Sequence, residues 1–162
     1  MKKRWGAFSS WLSYPLSEVD YEFPTFFDPE FYASFDQRHQ LNWANVWQSN
    51  RWTISLGWQW SSGLPYSVMR DFRLRPSPSG TGNVVEPIYS AYNDQRLPAC
   101  HQLNASVMYE LRTRRHPGWS TVIGLSLINI YDQDNYYERE YFVDNRVDAP
   151  RRFLFKENKN LG

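Results

Sequence analysis

The stretch Trp52-Thr53-Ile54-Ser55-Leu56-Gly57-Trp58-Gln59-Trp60-Ser61 decides the fold. Its even positions carry Trp, Ile, Leu, Trp and Trp; its odd positions, counted from Arg51, carry Arg, Thr, Ser, Gly, Gln and Ser. Successive side chains leave a strand on opposite sides, so this alternation reads as a β-strand with one apolar and one polar face. The apolar stripe runs from Trp52 to Trp60, and a tilted strand needs roughly 9–11 residues to cross a bilayer. Tryptophan at both ends with aliphatics between matches what an outer-membrane strand shows to lipid, an apolar centre flanked by an aromatic girdle. Soluble sandwich strands alternate too, but about 5–6 residues is their usual length.

Composition agrees. The chain of 162 residues holds 8 Trp, 11 Tyr and 10 Phe, yet its mean hydropathy is low. Alternating strands reconcile the two, because every second residue is polar. No run of about 18 apolar residues exists, which excludes a membrane-spanning helix. A net charge of +1 gives no electrostatic case for nucleic acid. The single cysteine, Cys100, excludes an internal disulfide. Met1-Lys2-Lys3-Arg4-Trp5 is basic like a signal n-region, but no aliphatic h-region or small-x-small cleavage site follows. It is read as a periplasmic turn leading into a strand, and the chain as part of a longer protein.

Around the central stretch the alternation predicts strands near 5–14, 38–48, 51–61, 100–112 and 119–131. Pro15 closes the first, since proline cannot donate to a ladder. In the second, Leu41, Trp43 and Trp47 share a face with His39 and Asn45, which puts Asn45 on the apolar side. The fourth alternates cleanly over eleven residues: His101, Leu103, Ala105, Val107, Tyr109 and Leu111 on one face, Gln102, Asn104, Ser106, Met108 and Glu110 on the other. The fifth places Thr121, Ile123, Leu125 and Leu127 outward. Short turns (48–51, 113–118) alternate with long connections (15–38, 62–98), the second rich in Pro and Gly and read as loop. Outer-membrane barrels have short periplasmic turns and long extracellular loops. Tyr136–Val143 and Arg152–Lys156 are expected to pair as a hairpin above the membrane, with residues 144–150 at its tip. The fold class is thus all-β: an antiparallel up-and-down meander, about five long strands of a larger, partial transmembrane β-barrel.

An internal echo supports this layout. Asp36-Gln37-Arg38-His39-Gln40-Leu41-Asn42 is answered by Asp94-Gln95-Arg96 and then His101-Gln102-Leu103-Asn104, each copy opening an inward-running strand.

These residues resemble the C-terminal barrel portion of TonB-dependent outer-membrane receptors, notably those of Bacteroidota. Ser13-Tyr14-Pro15-Leu16-Ser17 is similar to the family's S-Y-T-x-S, and Asp36 to Asn42 to its D-Q-R-H-x-L-N. Ser62-Gly63-Leu64-Pro65-Tyr66 resembles S-G-x-P-[YF], and Arg96 to Asn104 resembles R-x-P-x-[YF]-H-R-[LI]-[DN]. Leu127-Ile128-Asn129-Ile130-Tyr131-Asp132 resembles x-x-N-[LI]-[FY]-[DN]. Pro15 and Cys100 depart from the pattern, standing where Thr and an aromatic are usual. The resemblance implies that residues 1–162 are an incomplete C-terminal segment of such a barrel. By analogy its strands are the seventeenth to twenty-first of 22, with plug, earlier strands and last strand absent. It implies a place in the cell outer membrane, energy-coupled solute uptake, and inactivity of the segment alone. The implied partners are outer-membrane lipid, the remaining barrel and plug, and TonB only through the missing plug, with no nucleic acid.

No arrangement of residues points to an enzyme, a cofactor or a metal. His39 and His101 open corresponding strands and His116 lies in a turn, and no two have ligand spacing. Asp132-Gln133-Asp134-Asn135 lacks the glycine and distal glutamate of a calcium loop. Glu138 and Glu140 read as solvated loop charge rather than a glycosidase pair. Solute contacts are expected in the extracellular segments 16–37 and 62–98, with Phe26, Phe27, Tyr66, Arg70, Arg73, Arg75 and Tyr89 as candidates. The alternative function is a soluble β-sandwich binding module that uses the exposed Trp stripe as a platform.

Overall fold

A computed structural model describes residues 1–25, 30–78, 80, 82–112, 119–143 and 153–160. The described residues form fourteen strands: β1 (Lys2–Trp5), β2 (Phe8–Ser13), β3 (Asp20–Glu22), β4 (Glu30–Tyr32), β5 (Gln40–Gln48), β6 (Trp52–Ser61), β7 (Pro65–Tyr66), β8 (Met69–Pro76), β9 (Asn83–Tyr89), β10 (Gln95–Arg96), β11 (Cys100–Arg112), β12 (Ser120–Leu127), β13 (Asn135–Val143) and β14 (Phe153–Asn160). Among the described residues there is no helix. Six strands make one antiparallel sheet in the order β1-β2-β5-β6-β11-β12. The intervening strands pair locally as β3/β4, β8/β9, β7/β10 and β13/β14. The large sheet is therefore a sequential meander, with small hairpins inserted at one end, here called the loop end.

Register shows how the alternation becomes two faces. Trp43 lies opposite Trp58, and Trp58 opposite Leu103; Leu41, Trp60 and His101 form the next row toward the loop end. In the middle, Leu56 faces Ala105, which faces Leu127; beside them Ile54, Val107 and Leu125 form a second row. Phe8 and Trp47 continue the Ile54 row on β2 and β5, and toward the turn end come Trp52 and Tyr109, their rings 4.5 Å apart. On β6 and β11 this face is thus layered aromatic, aliphatic, aromatic. Asn45 sits between Ser10 and Leu56 in register, so the polar break in this face lies at mid-height on the β2/β5 side of the sheet. The opposite face carries Ser9, Val46, Ser55, Ser106 and Ser126 in one row and Asn42, Gln59 and Gln102 in another. At about 3.3 Å per residue, Trp52 to Trp60 spans about 26 Å along the strand.

No residue of the apolar face is buried. Ile123, Leu125 and Leu127 are 60%, 62% and 53% exposed, and Trp43, Trp52 and Ile54 are also exposed. The described residues that are buried lie elsewhere, where the inserted segments meet at the loop end: Ala33, Asp36, Gly63, Pro65, Met69, Leu97, Asn129 and Asn135.

Several expectations need correction. The first strand is not one run over 5–14. Gly6 takes a positive φ of 56°, and a tight turn there folds β1 back on β2, with Trp5 opposite Phe8. Met1 to Trp5 is accordingly a strand rather than a turn, and the sheet has six strands rather than five. The fifth strand stops at Leu127 because Asn129, at φ 52°, turns the chain. Segments 15–38 and 62–98 are not plain loop but hold β3/β4, β7/β10 and β8/β9. Prolines did not forbid this: Pro76 ends β8, and Pro87 sits in a two-stranded ribbon where one side of every strand is an edge. The hairpin expected over 136–156 forms as β13/β14, while its tip at 144–150 and the turn 113–118 lie outside the described residues.

Candidate functional site

The two echoed segments meet at the loop end. Asp36, from the first copy, is wholly buried and accepts from the Arg96 guanidinium of the second; the Val19 N–H also donates to it at 3.0 Å. Arg96 Nη1 donates further to the backbone oxygens of Asp36 (2.9 Å) and Gly63 (3.2 Å). Arg38 lies 3.6 Å from the same carboxylate and pairs outward with Glu18. Both guanidinium groups stack on the Tyr32 ring, at 4.6 and 5.2 Å. A Cβ on Gly63 would lie 1.7 Å from the Leu97 carbonyl oxygen, so only glycine lets these two segments close on each other.

The echoed histidines also have matching partners. Tyr14 and His39 join through the hydroxyl and Nδ1 at 2.8 Å, and Tyr131 and His101 do the same at 2.9 Å. The Trp58 indole donates to the Tyr131 hydroxyl at 3.2 Å. These pairs fasten the loop-end aromatic row to the chain segments that leave the sheet. Among the described residues no group of three or more His, Cys, Asp or Glu side chains could hold a metal ion.

The β13/β14 hairpin is held over the polar face by Asn135. Its carboxamide accepts from the His101 N–H (2.8 Å) and donates to the His101 carbonyl (3.1 Å), pairing with β11 as a strand would. Asn129 closes the turn before it: its Nδ2 donates to the Gln133 carbonyl at 3.0 Å, and its N–H donates to Asn104 Oδ1 at 2.9 Å. The Cys100 thiol donates to the Tyr136 carbonyl at 3.3 Å.

This hairpin makes two cavities that share Tyr137. The outer one, an open cleft of about 870 Å³, is walled by Tyr66, Tyr89, Tyr92, Tyr137 and Tyr141 with Asn93. Arg139 reaches across it, its Nη1 2.8 Å from the Tyr66 hydroxyl and its guanidinium carbon 4.7 Å from the Tyr66 ring. Asn93, at φ 52°, is fixed by its N–H to Ser67 Oγ (2.9 Å) and its amide to the Tyr32 carbonyl (2.6 Å). The inner cavity, about 270 Å³, lies on the polar face of the sheet, with Gln40, Asn42, Gln59 and Gln102 among its lining residues.

The candidates read from the sequence divide accordingly. Tyr66 and Tyr89 come together in the outer cleft. Arg73 and Arg75 stand on the β8/β9 ribbon, where both pair with Glu86. The hydrogen bond from Arg73, with the two positive charges nearby, holds the Glu86 carboxyl below its ordinary value. Arg70 is the exposed residue of the bulge between Met69 and Asp71. Phe26 and Phe27 lie outside the described residues. Sequence reasoning missed Tyr137 and Tyr141, which the tyrosine-rich run 136–141 signals, Tyr92, which nothing local signals, and the carboxamides of the polar face, which in the sequence are only polar alternation. No known family, curated protein or solved structure matches this chain.

Proposed function

We propose that this chain is a segment of an outer-membrane β-barrel of the TonB-dependent receptor kind, contributing wall and extracellular rim to energy-coupled solute uptake. The observation that carries this reading is the layering of the apolar face. On β6 and β11 aromatic residues bracket aliphatic ones, on a sheet whose other face is mostly polar. A sandwich sheet would bury such a face against a second sheet, whereas here its residues are half-buried or exposed. Lipid is the medium in which an aliphatic band with aromatic borders is stable. The inserted hairpins all lie at one end, as extracellular elaborations do in such barrels. On this reading the polar face lines the lumen, the tyrosine cleft opens outward, and the chain has no catalytic role.

Fractionation tests it. Cells expressing the chain within a full-length parent should show residues 16–37 and 62–98 cut by external protease while 48–51 is spared. Recovery in the soluble fraction, or cleavage at 48–51 alone, would overturn the reading.

A further inference from the structure

Resting on the barrel reading proposed above, we infer that one corner of the apolar face is covered within the membrane by a second outer-membrane protein, which presents a carboxylate to Lys3. The row of residues through Leu56 changes character along its length. On β6, β11 and β12 it reads Leu56, Ala105 and Leu127; on β1, β2 and β5 it reads Lys3, Ser10 and Asn45. The polar half is bracketed by larger side chains, Trp5, Phe8 and Trp47 toward the turn end and Leu12 and Trp43 toward the loop end. Ser10 and Asn45 between these ridges form the floor of a shallow notch, with Lys3 at its end.

Lipid does not suit this notch. It lies at the depth of the aliphatic band, where a charge or an unpaired polar group is costly and where such groups in membrane proteins face protein partners. Lys3 is exposed, and its Nζ lies 4.7 Å from the Trp5 ring centroid, which leads the ammonium toward the turn end as in a snorkelling lysine. Ser10 and Asn45 are too short to follow. Both are half-buried, and neither side chain has a hydrogen-bond partner among the described residues. Charge then fixes the kind of partner. Among the described residues the six strands set no Asp or Glu on this face, so a second copy docked face to face would bring no counter-charge to Lys3. A carboxylate from a different protein answers the ammonium with one oxygen, while the Ser10 hydroxyl and the Asn45 amide donate to the other. Polar side chains of this kind hold membrane segments together.

The test uses the full-length parent in native outer membranes, with Cys100→Ser and one nitroxide label. The label sits on Leu12→Cys, at the rim of the notch, or on Leu125→Cys, in the aliphatic band away from it. Oxygen, which dissolves in lipid, should relax the label at 125 about threefold more strongly than the label at 12. Lys3→Glu should raise the value at 12 to that at 125, and Lys3→Arg should leave it low. Where Lys3→Glu fails to assemble, Asn45→Leu replaces it and should unshield residue 12 in the same way. Dicyclohexylcarbodiimide, which enters membranes and joins an amine to a carboxylate, should link Lys3 to an Asp or Glu of a different outer-membrane protein, read by mass spectrometry. Lys3→Arg should give no such link. Equal oxygen access at 12 and 125, shielding at 12 that survives the variant, or a link from Lys3 only to this protein's own carboxylates would overturn the inference. A label at 125 that oxygen reaches no better than a water-soluble nickel complex does would overturn the barrel reading itself, whatever the label at 12 reports.

Discussion

Asp36 places a carboxylate where water is excluded, so its partners are obligatory. Removing one side of a buried ion pair costs about 3–5 kcal/mol because the remaining charge stays uncompensated. Arg38 and Arg96 keep part of their surface in solvent, which puts the expected cost at the lower end of that range. Asp36→Asn retains an acceptor for the Val19 N–H but turns an amide donor toward Arg96. It should lower hydrogen-exchange protection at Val19 and Ala33 by about a hundredfold, since local opening is what such exchange reports. Unchanged protection would show that the loop-end lobe does not rest on this pair. Glu86 gives a pH counterpart at the surface. A carboxylate held below its ordinary value contributes stability that is present above the unfolded pKa and is lost as pH falls through the depressed folded one. The Arg73–Glu86 pair should therefore persist at the pH where an ordinary glutamate is half-protonated, and break only in more acidic solution. A carboxyl NMR titration should place the Glu86 midpoint below the usual glutamate range, and Arg73→Gln should raise it; a midpoint indifferent to Arg73→Gln would contradict the pairing.

Within the strands, one residue of register separates two environments. Leu56 lies in the aliphatic band between Asn45 and Ala105, and its neighbour Ser55 lies on the polar face between Val46 and Ser106. A charge toward lipid costs roughly 2–4 kcal/mol at the midplane. On the proposed barrel reading, Leu56→Arg in a full-length parent should sharply reduce outer-membrane recovery while Ser55→Arg leaves it near normal, measured by fractionation and heat-modifiability. Equal recovery of the two would refute the assignment of the faces. These strands were legible because the period of 2 is unbroken from 52 to 61 and from 101 to 111. The β1/β2 hairpin was not, because Ser9, Ser10 and Ser13 blur both faces and the turn depends on one glycine. The inserted ribbons were hidden for another reason: β8 and β9 pair only with each other, so no face need be buried and no alternation is demanded. The site was half legible. Tyr66 ends the Ser62-to-Tyr66 motif, but the carboxamide row Asn42, Gln59, Gln102 exists only through the register of strands far apart in sequence.

For the molecule as a whole, the two edges of the sheet set its behaviour. β1 is four residues long and basic, with Lys2, Lys3 and Arg4, a pattern that discourages further pairing. β12 is eight residues long, exposed throughout, and pairs on one side only. Water can satisfy the free N–H and C=O groups of such an edge; hydrocarbon cannot, and each unsatisfied group in lipid costs several kcal/mol. The smallest outer-membrane barrels close with eight strands, and this sheet has six. The same face that suits lipid is exposed in water, where a large apolar patch promotes association. Neither medium therefore suits the six-stranded sheet as an isolated body. The 162 residues expressed alone should aggregate, be degraded, or pair β12 with a strand of another chain, and they should support no solute uptake. On the proposed barrel reading, supplying further barrel strands as a second polypeptide should give both heat-modifiable migration and protection of β12 amides from exchange. A folded, heat-modifiable monomer obtained from these residues alone in detergent would show that the sheet closes without further strands, and the argument from its edges would fail.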